Sequence, residues 1–315
     1  FTVCLFACQY QLLSCKREHM KYTIIPDIHA DFERLNWSIS QSKGRQIVLL
    51  GDLIDAGKAV KLPNDVGVLT SISKLIEIGQ AVCVLGNHEL NAILFHRRSS
   101  TTGMPLRSHK AQHFNQHKSF IDSFGIETID ALDWTSWMLE TLPLWFELDG
   151  VRVVHACWSD NAINIIKKRR PDGYLQVEDL EEIAAKDTEF ACAVETITSG
   201  PEARLPEGFS FIDNGGHERK SVRLSWWNSN NTSWKKAALS VPNLDQLPNG
   251  KLPENLLDEI YHSDAKPVLV GHYKMKGKPK IQSSNASSLD FPSNSCVYQW
   301  AGESELTNKN LVLNR

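Results

Sequence analysis

The sequence predicts an α/β domain whose ligand site lies where parallel strands end. Three observations carry that prediction. Short apolar runs alternate with segments of helical periodicity from residue 21 to residue 96. Each run closes on a Gly or Pro beside carboxylate, imidazole or carboxamide side chains. Hydrophobic residues make up 42% of the 315 and charged residues 23%, the composition of a globular chain rather than a disordered one. Strand–helix–strand–helix–strand order implies parallel strands joined by right-handed crossovers.

KYTII (21–25) is β-branched and apolar and breaks at Pro26; DFERLNWSIS (31–40) reads as a helix. RQIVLL (45–50) is short and continuously apolar, a buried strand. DVGVLTSISKLIEIG (65–79) spaces its apolar residues as a helix does and stops at Gly79. AVCVL (81–85) is a third strand, and HELNAILFH (88–96) opens a helix. Residues 97–125 read as a polar loop followed by a helix from about Arg107. TSWMLETLPLWFELDG (135–150) is a helix and then a strand into a turn, and VRVVHA (151–156) is a strand. Residues 160–200 are charged and helical in pattern. From Phe209 strand and turn signals dominate, with strands at 221–228, 267–273 and 296–302. The expected organisation is one domain over 20–315 with a helical insertion at about 160–200.

Residues 1–19 have two readings. LLSC loosely resembles a lipoprotein cleavage site, so the segment could be a truncated export signal. The strand-like MKYTIIPDIHA, with no basic residue ahead of the apolar run, favours Met20 as the natural start. The apolar stretch is interrupted by Gln9 and Gln11 and too short to span a bilayer, so no membrane partner is expected. The net charge of −3 advertises neither nucleic acid nor an anionic surface. Seven dispersed cysteines without a CxxC pair suggest reduced thiols and a cytoplasmic address.

The strand ends carry the chemistry. PDIHA supplies Asp27 and His29, GDLID supplies Asp52 and Asp55, and GNHE supplies Asn87, His88 and Glu89. Two later strands end in His155 and His272. Ligands of open parallel sheets collect at the carboxyl ends of strands. Oxygen and imidazole donors meeting there suit borderline divalent ions such as Mn, Fe, Zn or Co. Alone, each Asp could cap a helix and each His could be a satisfied polar residue. Five strand ends carrying metal-type donors together are not explained that way.

In this order, DxH, GDxxD, GNHE and the two strand-end histidines resemble the motif series of the calcineurin-like metallophosphoesterases, and within them the phosphoprotein-phosphatase superfamily and its bacterial branch. TLPLWFELDGVRVVHACW, RLSWWN and VGHYKMKG are similar to that branch too, so the resemblance runs from about Lys21 to Leu313. It implies a four-layer αββα sandwich and two divalent ions, Mn first, with Fe, Zn, Co or Ni as alternatives. Asp27 and His29 would bind one ion, Asp52 would bridge, and Asn87, His155 and His272 would complete the second. A hydroxide held between the ions would attack phosphorus in line. His88 would act as general acid, oriented by Asp55. The implied activity is hydrolysis of phosphomonoesters, with Ser/Thr phosphoproteins among the candidate substrates. A dinucleoside polyphosphate hydrolase is the alternative, and a catalytically weak metal-binding scaffold a further one.

Two departures bear on substrate. The family turn reads GDxxDRG, whose arginine grips phosphate oxygens, whereas Ala56 stands here. Arg97, Arg98, Arg107, Lys274 and Lys276 are the cations that could substitute. Pro26 and Ala30 replace the glycines of GDxHG, and the C-terminal SAPNYC loop of the eukaryotic enzymes is not recognisable. His109, His113 and His117 share one face of a helix that is polar all round, so a solvent-facing helix is expected, with a second metal site or a substrate-side role as lesser readings. KKRR (167–170) reads as a solvated face, and Trp226 and Trp227 read as packing residues.

Overall fold

The computed structural model describes residues 20–57, 59–213, 215–257 and 259–314, so the readings made for residues 1–19 lie outside the described residues. Strands β1 (Tyr22–Ile25), β2 (Gln46–Leu49) and β3 (Ala81–Cys83) alternate with helices α1 (Phe32–Ser40), α2 (Asp65–Glu77) and α3 (Asn87–Phe95). Helices α4 (Ala111–Gln116), α5 (Lys118–Phe124) and α6 (Ile129–Thr141) lead to strands β4 (Trp145–Glu147) and β5 (Arg152–Val154). Helices α7 (Asp160–Lys167), α8 (Leu180–Ala185) and α9 (Glu189–Ser199) follow. Short strands β6 (Glu202–Arg204), β7 (Phe211–Ile212), β8 (Glu218–Arg219), β9 (Ser221–Leu224) and β10 (Ala238–Leu239) form a small antiparallel sheet and a hairpin. Strands β11 (Val268–Val270), β12 (Ala286–Ser288), β13 (Cys296–Trp300) and β14 (Leu311–Leu313) complete the chain.

Two mixed sheets stack face to face, with strand orders β14-β13-β1-β2-β3 and β12-β11-β5-β4. Strands β1, β2 and β3 are parallel and end level, with Ile25 beside Leu49 and Leu49 beside Cys83. In the second sheet β11 runs parallel to β5 and to β12. The period of two along each strand divides its side chains between layers. Tyr22, Ile24, Val48, Val153 and Leu269 join Tyr298 and Trp300 in the layer between the sheets. Ile25, Ile47, Leu49, Val154, Val268 and Val270 face the other way. They belong to the apolar cluster that includes Leu35, Val68 and Ile72 on one side and Ile163, Ile166, Val194 and Ile197 on the other. The result is a four-layer αββα sandwich.

Local chemistry sets the helix starts. Asp31 accepts from the Arg34 N–H at 2.9 Å and Asn64 from the Gly67 N–H at 2.8 Å, satisfying donors that a helix leaves open. Asp31 follows the first strand end, so α1 starts immediately beside the site. Among the described residues no helix is long and apolar enough to cross a membrane. The described cysteines Cys83, Cys157, Cys192 and Cys296 are free.

Two expectations change, and one strand was not foreseen. The helix expected from about Arg107 is two short helices, α4 and α5, broken at His117. Helix α6 starts at Ile129, six residues before the expected start at 135. Strand β12 reads ASS and carries no β-branched residue, so propensity did not mark it. Its buried hydroxyls are satisfied internally: Ser288 Oγ donates to the Gly271 carbonyl at 3.1 Å, and Ser287 Oγ to Gln282 Oε1 at 2.9 Å.

Truncating Leu269, fully buried between the sheets, to alanine is expected to cost roughly 2–5 kcal/mol of unfolding free energy. Leu62→Ala, at a position 82% exposed, should cost under about 0.5 kcal/mol. Denaturant melts of both variants check this, and equal losses would mean that the inter-sheet layer is not the packed core.

Candidate metal centre

The parallel strands bring five turns to one edge, and the backbone there is unusual. His29, Asp52, Asp55 and His272 have φ of +51°, +50°, +65° and +63°, a left-handed region that non-glycine residues rarely adopt. Such conformations persist where surrounding contacts over-determine them, and they cluster at functional sites. Ala30, at φ +57°, shows what the family glycine does at this position: the demand is conformational.

The contacts that hold these turns are specific. Glu89 is fully buried, and its carboxylate accepts the N–H groups of Asp52 and Leu53, each at 2.8 Å, and of Gly86 at 3.1 Å. One side chain from the GNHE turn thereby fixes the GDLID turn. Burial and the charge of Asp52 push Glu89 up to about 7, while the Leu53 N–H pulls it down. Gly51 and Gly86 make the approach possible. A Cβ on Gly86 would lie 2.4 Å from the Asp52 amide nitrogen, and one on Gly51 would lie 2.7 Å from that of Gly86.

Asp52 sits at the centre of the donors. Its Oδ2 lies 3.9 Å from His29 Nε2 and 3.9 Å from His88 Nε2, and its Oδ1 lies 3.3 Å from His155 Nε2. Two groups could each hold a cation: His29, Asp52 and His88, and Asp52, His155 and His272. Asp52 belongs to both. Asp27 Oδ2 is 3.8 Å from His29 Nε2, and the carboxylate accepts the His272 N–H at 3.0 Å. Asn87 Oδ1 lies 2.8 Å from His272 Nδ1 and 3.0 Å from His155 Nε2. All six predicted ligands therefore converge, and His88 stands with them.

The donors fit a cation. The buried Nε2 atoms of His29 and His272 have no hydrogen-bond partner. His155 Nδ1 donates to the Leu50 carbonyl at 2.6 Å, which leaves its Nε2 aimed at two oxygens, Asp52 Oδ1 and Asn87 Oδ1. A lone pair cannot face two acceptors unless a proton or a metal stands between them. Backbone-tethered imidazoles of this kind are typical metal ligands. Without a metal, burial disfavours a charged His155, but Asp52 and Asp27 outweigh it and raise the ring to about 10. Burial takes His29 down to about 4. Burial, with Asp290 and Asp52 nearby, pushes Asp27 well up.

His88 and Asp55 form a pair, with Nδ1 2.8 Å from Asp55 Oδ2. Burial alone would lower His88, yet the charges of Asp52 and Asp55 raise it to about 9. Asp55 is also buried, and burial works against its ionised form. His117 and His88 outweigh that and hold the carboxyl below its usual range.

The five predicted cations lie in different settings. The Arg97 guanidinium donates to Thr135 Oγ1 and Ser136 Oγ, each at 3.0 Å, and Arg98 pairs with Glu127 at 2.9 Å. Arg107 is held by Asn91 on α3 and by Gln116 Oε1 at 2.8 Å, and its charge reaches Asp55. Lys274 and Lys276 are exposed, and Lys274 is near enough to His29 to oppose its protonation.

The expected solvent-facing histidine face is corrected. His117 is buried and bonds Asp55 Oδ1 through Nδ1 at 2.6 Å. His109 stacks on Phe95 with centroids 4.0 Å apart and reaches the Phe95 carbonyl, and His113 reaches the Ser108 carbonyl at 2.6 Å. Among the described residues these three rings share no metal-type cluster. Trp226 and Trp227 are buried, with Trp226 Nε1 donating to the Ala156 carbonyl at 3.0 Å. Arg169 and Arg170 of the KKRR run pair with Asp179, at 3.3 and 2.7 Å. Sequence reading also missed the clamp role of Glu89 and the buried carboxylate of Asp290, whose oxygens lack a hydrogen-bond partner.

The family model of the calcineurin-like phosphoesterases matches residues 20–276. The chain belongs to that family. It is therefore a metal-dependent hydrolase of phosphoric esters, and the converging His and Asp side chains are its candidates for binding divalent ions. No curated protein matches the chain by sequence. Solved structures similar to it include a candidate diadenosine tetraphosphatase, at 16% identity over 94% of this chain and 95% of that one, with a TM-score of 0.41. A serine/threonine phosphatase of Saccharomyces cerevisiae is 10% identical over 95% of this chain and 80% of its own, with a TM-score of 0.44. A cold-active protein-tyrosine phosphatase of a Shewanella species is 11% identical over 92% and 80%, with a TM-score of 0.43.

The Glu89 clamp gives a direct expectation. Glu89→Gln replaces one acceptor oxygen with an amide NH2, a donor that faces backbone donors. It should cost about 1–3 kcal/mol of stability and weaken Mn affinity roughly tenfold or more. Denaturant melts and Mn titration calorimetry check this, and an unchanged Mn affinity would show that the clamp does not shape the centre.

Proposed function

We propose that the protein hydrolyses phosphomonoesters at a two-ion centre, Mn being the first candidate metal, with His88 as the proton donor to the leaving oxygen. The observation that carries this reading is the orientation of His88. Its Nδ1 is bound to Asp55 at 2.8 Å, so its Nε2 is turned toward Asp52 at the heart of the donor cluster. The hydrogen-bonded Asp55 carboxylate favours the protonated ring, which can deliver its proton to an alkoxide or phenoxide as that leaves.

The six ligand candidates are Asp27, His29, Asp52, Asn87, His155 and His272. Divalent ions held there would acidify bound water and neutralise charge on the phosphoryl oxygens. The protein offers water, rather than a side chain, as nucleophile. Among the described residues the thiols of Cys83 and Cys157 are buried, and burial pushes each well above its ordinary value. Arg107 takes over the role of the arginine absent at Ala56. Asn91 and Gln116 hold its guanidinium on the His88 side of the site, where a phosphate oxygen could take up its free donors. Lys274 supplies a second positive charge beside His29.

Turnover of p-nitrophenyl phosphate, a phosphoserine peptide and a dinucleoside polyphosphate by Mn-loaded protein tests the reading. Hydrolysis of the two monoesters is expected. His88→Ala should lower kcat by a factor on the order of 10²–10⁴ while metal content, measured by elemental analysis, stays at the wild-type level. Arg107→Ala should raise KM for both monoesters about 10- to 100-fold, as loss of a charge-assisted hydrogen bond does. Cleavage of the dinucleoside polyphosphate alone would overturn the monoester assignment, and full turnover by His88→Ala would overturn the proton-donor role.

A further inference from the structure

The His88–Asp55 pair does not end at Asp55. Asp55 Oδ1 accepts from His117 Nδ1 at 2.6 Å, and His117 Nε2 lies 3.0 Å from His96 Nε2. His96 Nδ1 in turn accepts the backbone N–H of Glu127 at 3.0 Å. That last contact decides the direction of the rest. An amide N–H can only donate, so His96 Nδ1 is an acceptor and its Nε2 carries the hydrogen. His96 Nε2 then donates to His117 Nε2, and His117 donates from Nδ1 to Asp55. Burial takes His96 down to about 3, in keeping with an uncharged ring. Both rings are buried.

On the functional reading above, on which this inference rests, we propose that His117 and His96 are positioning residues for the proton donor. They fix the Asp55 carboxylate so that its second oxygen holds His88 Nδ1 and leaves Nε2–H facing the leaving group. The chain is a clamp and not a proton shuttle, because its far end is an amide hydrogen that does not leave. In the step it serves, water gives up one proton to solvent and its oxygen bonds to phosphorus, the bond from phosphorus to the leaving oxygen breaks, that oxygen takes the hydrogen from His88 Nε2, and the ring regains a proton from solvent before the next turnover.

The surroundings are built to hold the chain. His117 sits at the break between α4 and α5 and stacks on Phe120, with centroids 4.7 Å apart and planes at 17°. Phe95 packs edge-on against both imidazoles. The Asp55 N–H donates to Asp65 Oδ1 at 3.1 Å and the Ala56 N–H to Ser119 Oγ at 2.9 Å, so α2 and α5 hold the same turn. The break that splits the expected single helix is thus the point at which His117 reaches Asp55.

The test compares two esters on each variant, phenyl phosphate, whose leaving group needs a proton, and 2,4-dinitrophenyl phosphate, whose leaving group does not. The ratio of the two kcat values is independent of the fraction of a preparation that is folded and metal-loaded. His117→Leu should reduce kcat on phenyl phosphate by a factor on the order of 10–100 while the dinitrophenyl ester loses less than about threefold. His96→Leu should shift the ratio the same way by a smaller factor. His117→Asn, whose amide N–H takes the place of Nδ1–H, should restore most of the ratio. His88→Ala sets the size of the full effect. If the wild type turns over neither ester, the functional reading fails and takes this inference with it. If His88→Ala shifts the ratio and His117→Leu does not, the positioning inference alone is overturned.

Discussion

The carboxylate of Glu89 is the contact on which the rest of the site depends. It is buried, and it receives backbone N–H groups from the turn that follows β2 and from the turn that follows β3. Those donors have no strand partner, because both chains are leaving the sheet. By satisfying them the carboxylate holds Asp52 in a left-handed conformation that its own side chain disfavours. In that conformation the two oxygens of Asp52 diverge, one toward His29 and His88 and the other toward His155. The two groups of metal-type donors share one residue because that residue is held from behind.

Much of this was legible in the sequence. The level ends of β1, β2 and β3 follow from the short apolar runs, and the donors are found where those runs stop. Asp27, His29, Asp52, Asn87, His155 and His272 converge because each strand end is polar in a chain that is otherwise apolar there. Glu89 could be read as part of GNHE, but its partners lie 36 and 37 residues away, a pairing that no local pattern encodes. His117 was hidden for a related reason. The segment around it is polar on every side, so the burial of one imidazole depends on Asp55, 62 residues earlier. Strand β12 was invisible because serines form it, and parallel pairing with β11 alone makes it a strand.

The departures from the family pattern acquire physical content. Ala30 occupies a left-handed position that glycine fills without strain, so the motif tolerates a methyl group at a conformational cost on the order of 1–2 kcal/mol. Ala56 lacks a guanidinium, but Arg107 stands close enough to influence the charge of Asp55 and is tethered by Asn91, one helical turn along α3 from His88. The segment between α3 and α6 therefore places two side chains toward Asp55, Arg107 through its charge and His117 through a hydrogen bond.

The account centres on Asp52 as a bridge between two cations. Electron paramagnetic resonance of Mn-reconstituted protein measures that directly, because two Mn ions sharing a carboxylate are exchange-coupled. The account predicts two Mn bound per chain and the spectrum of a coupled pair. A single bound ion, or two ions with uncoupled six-line spectra, would contradict it.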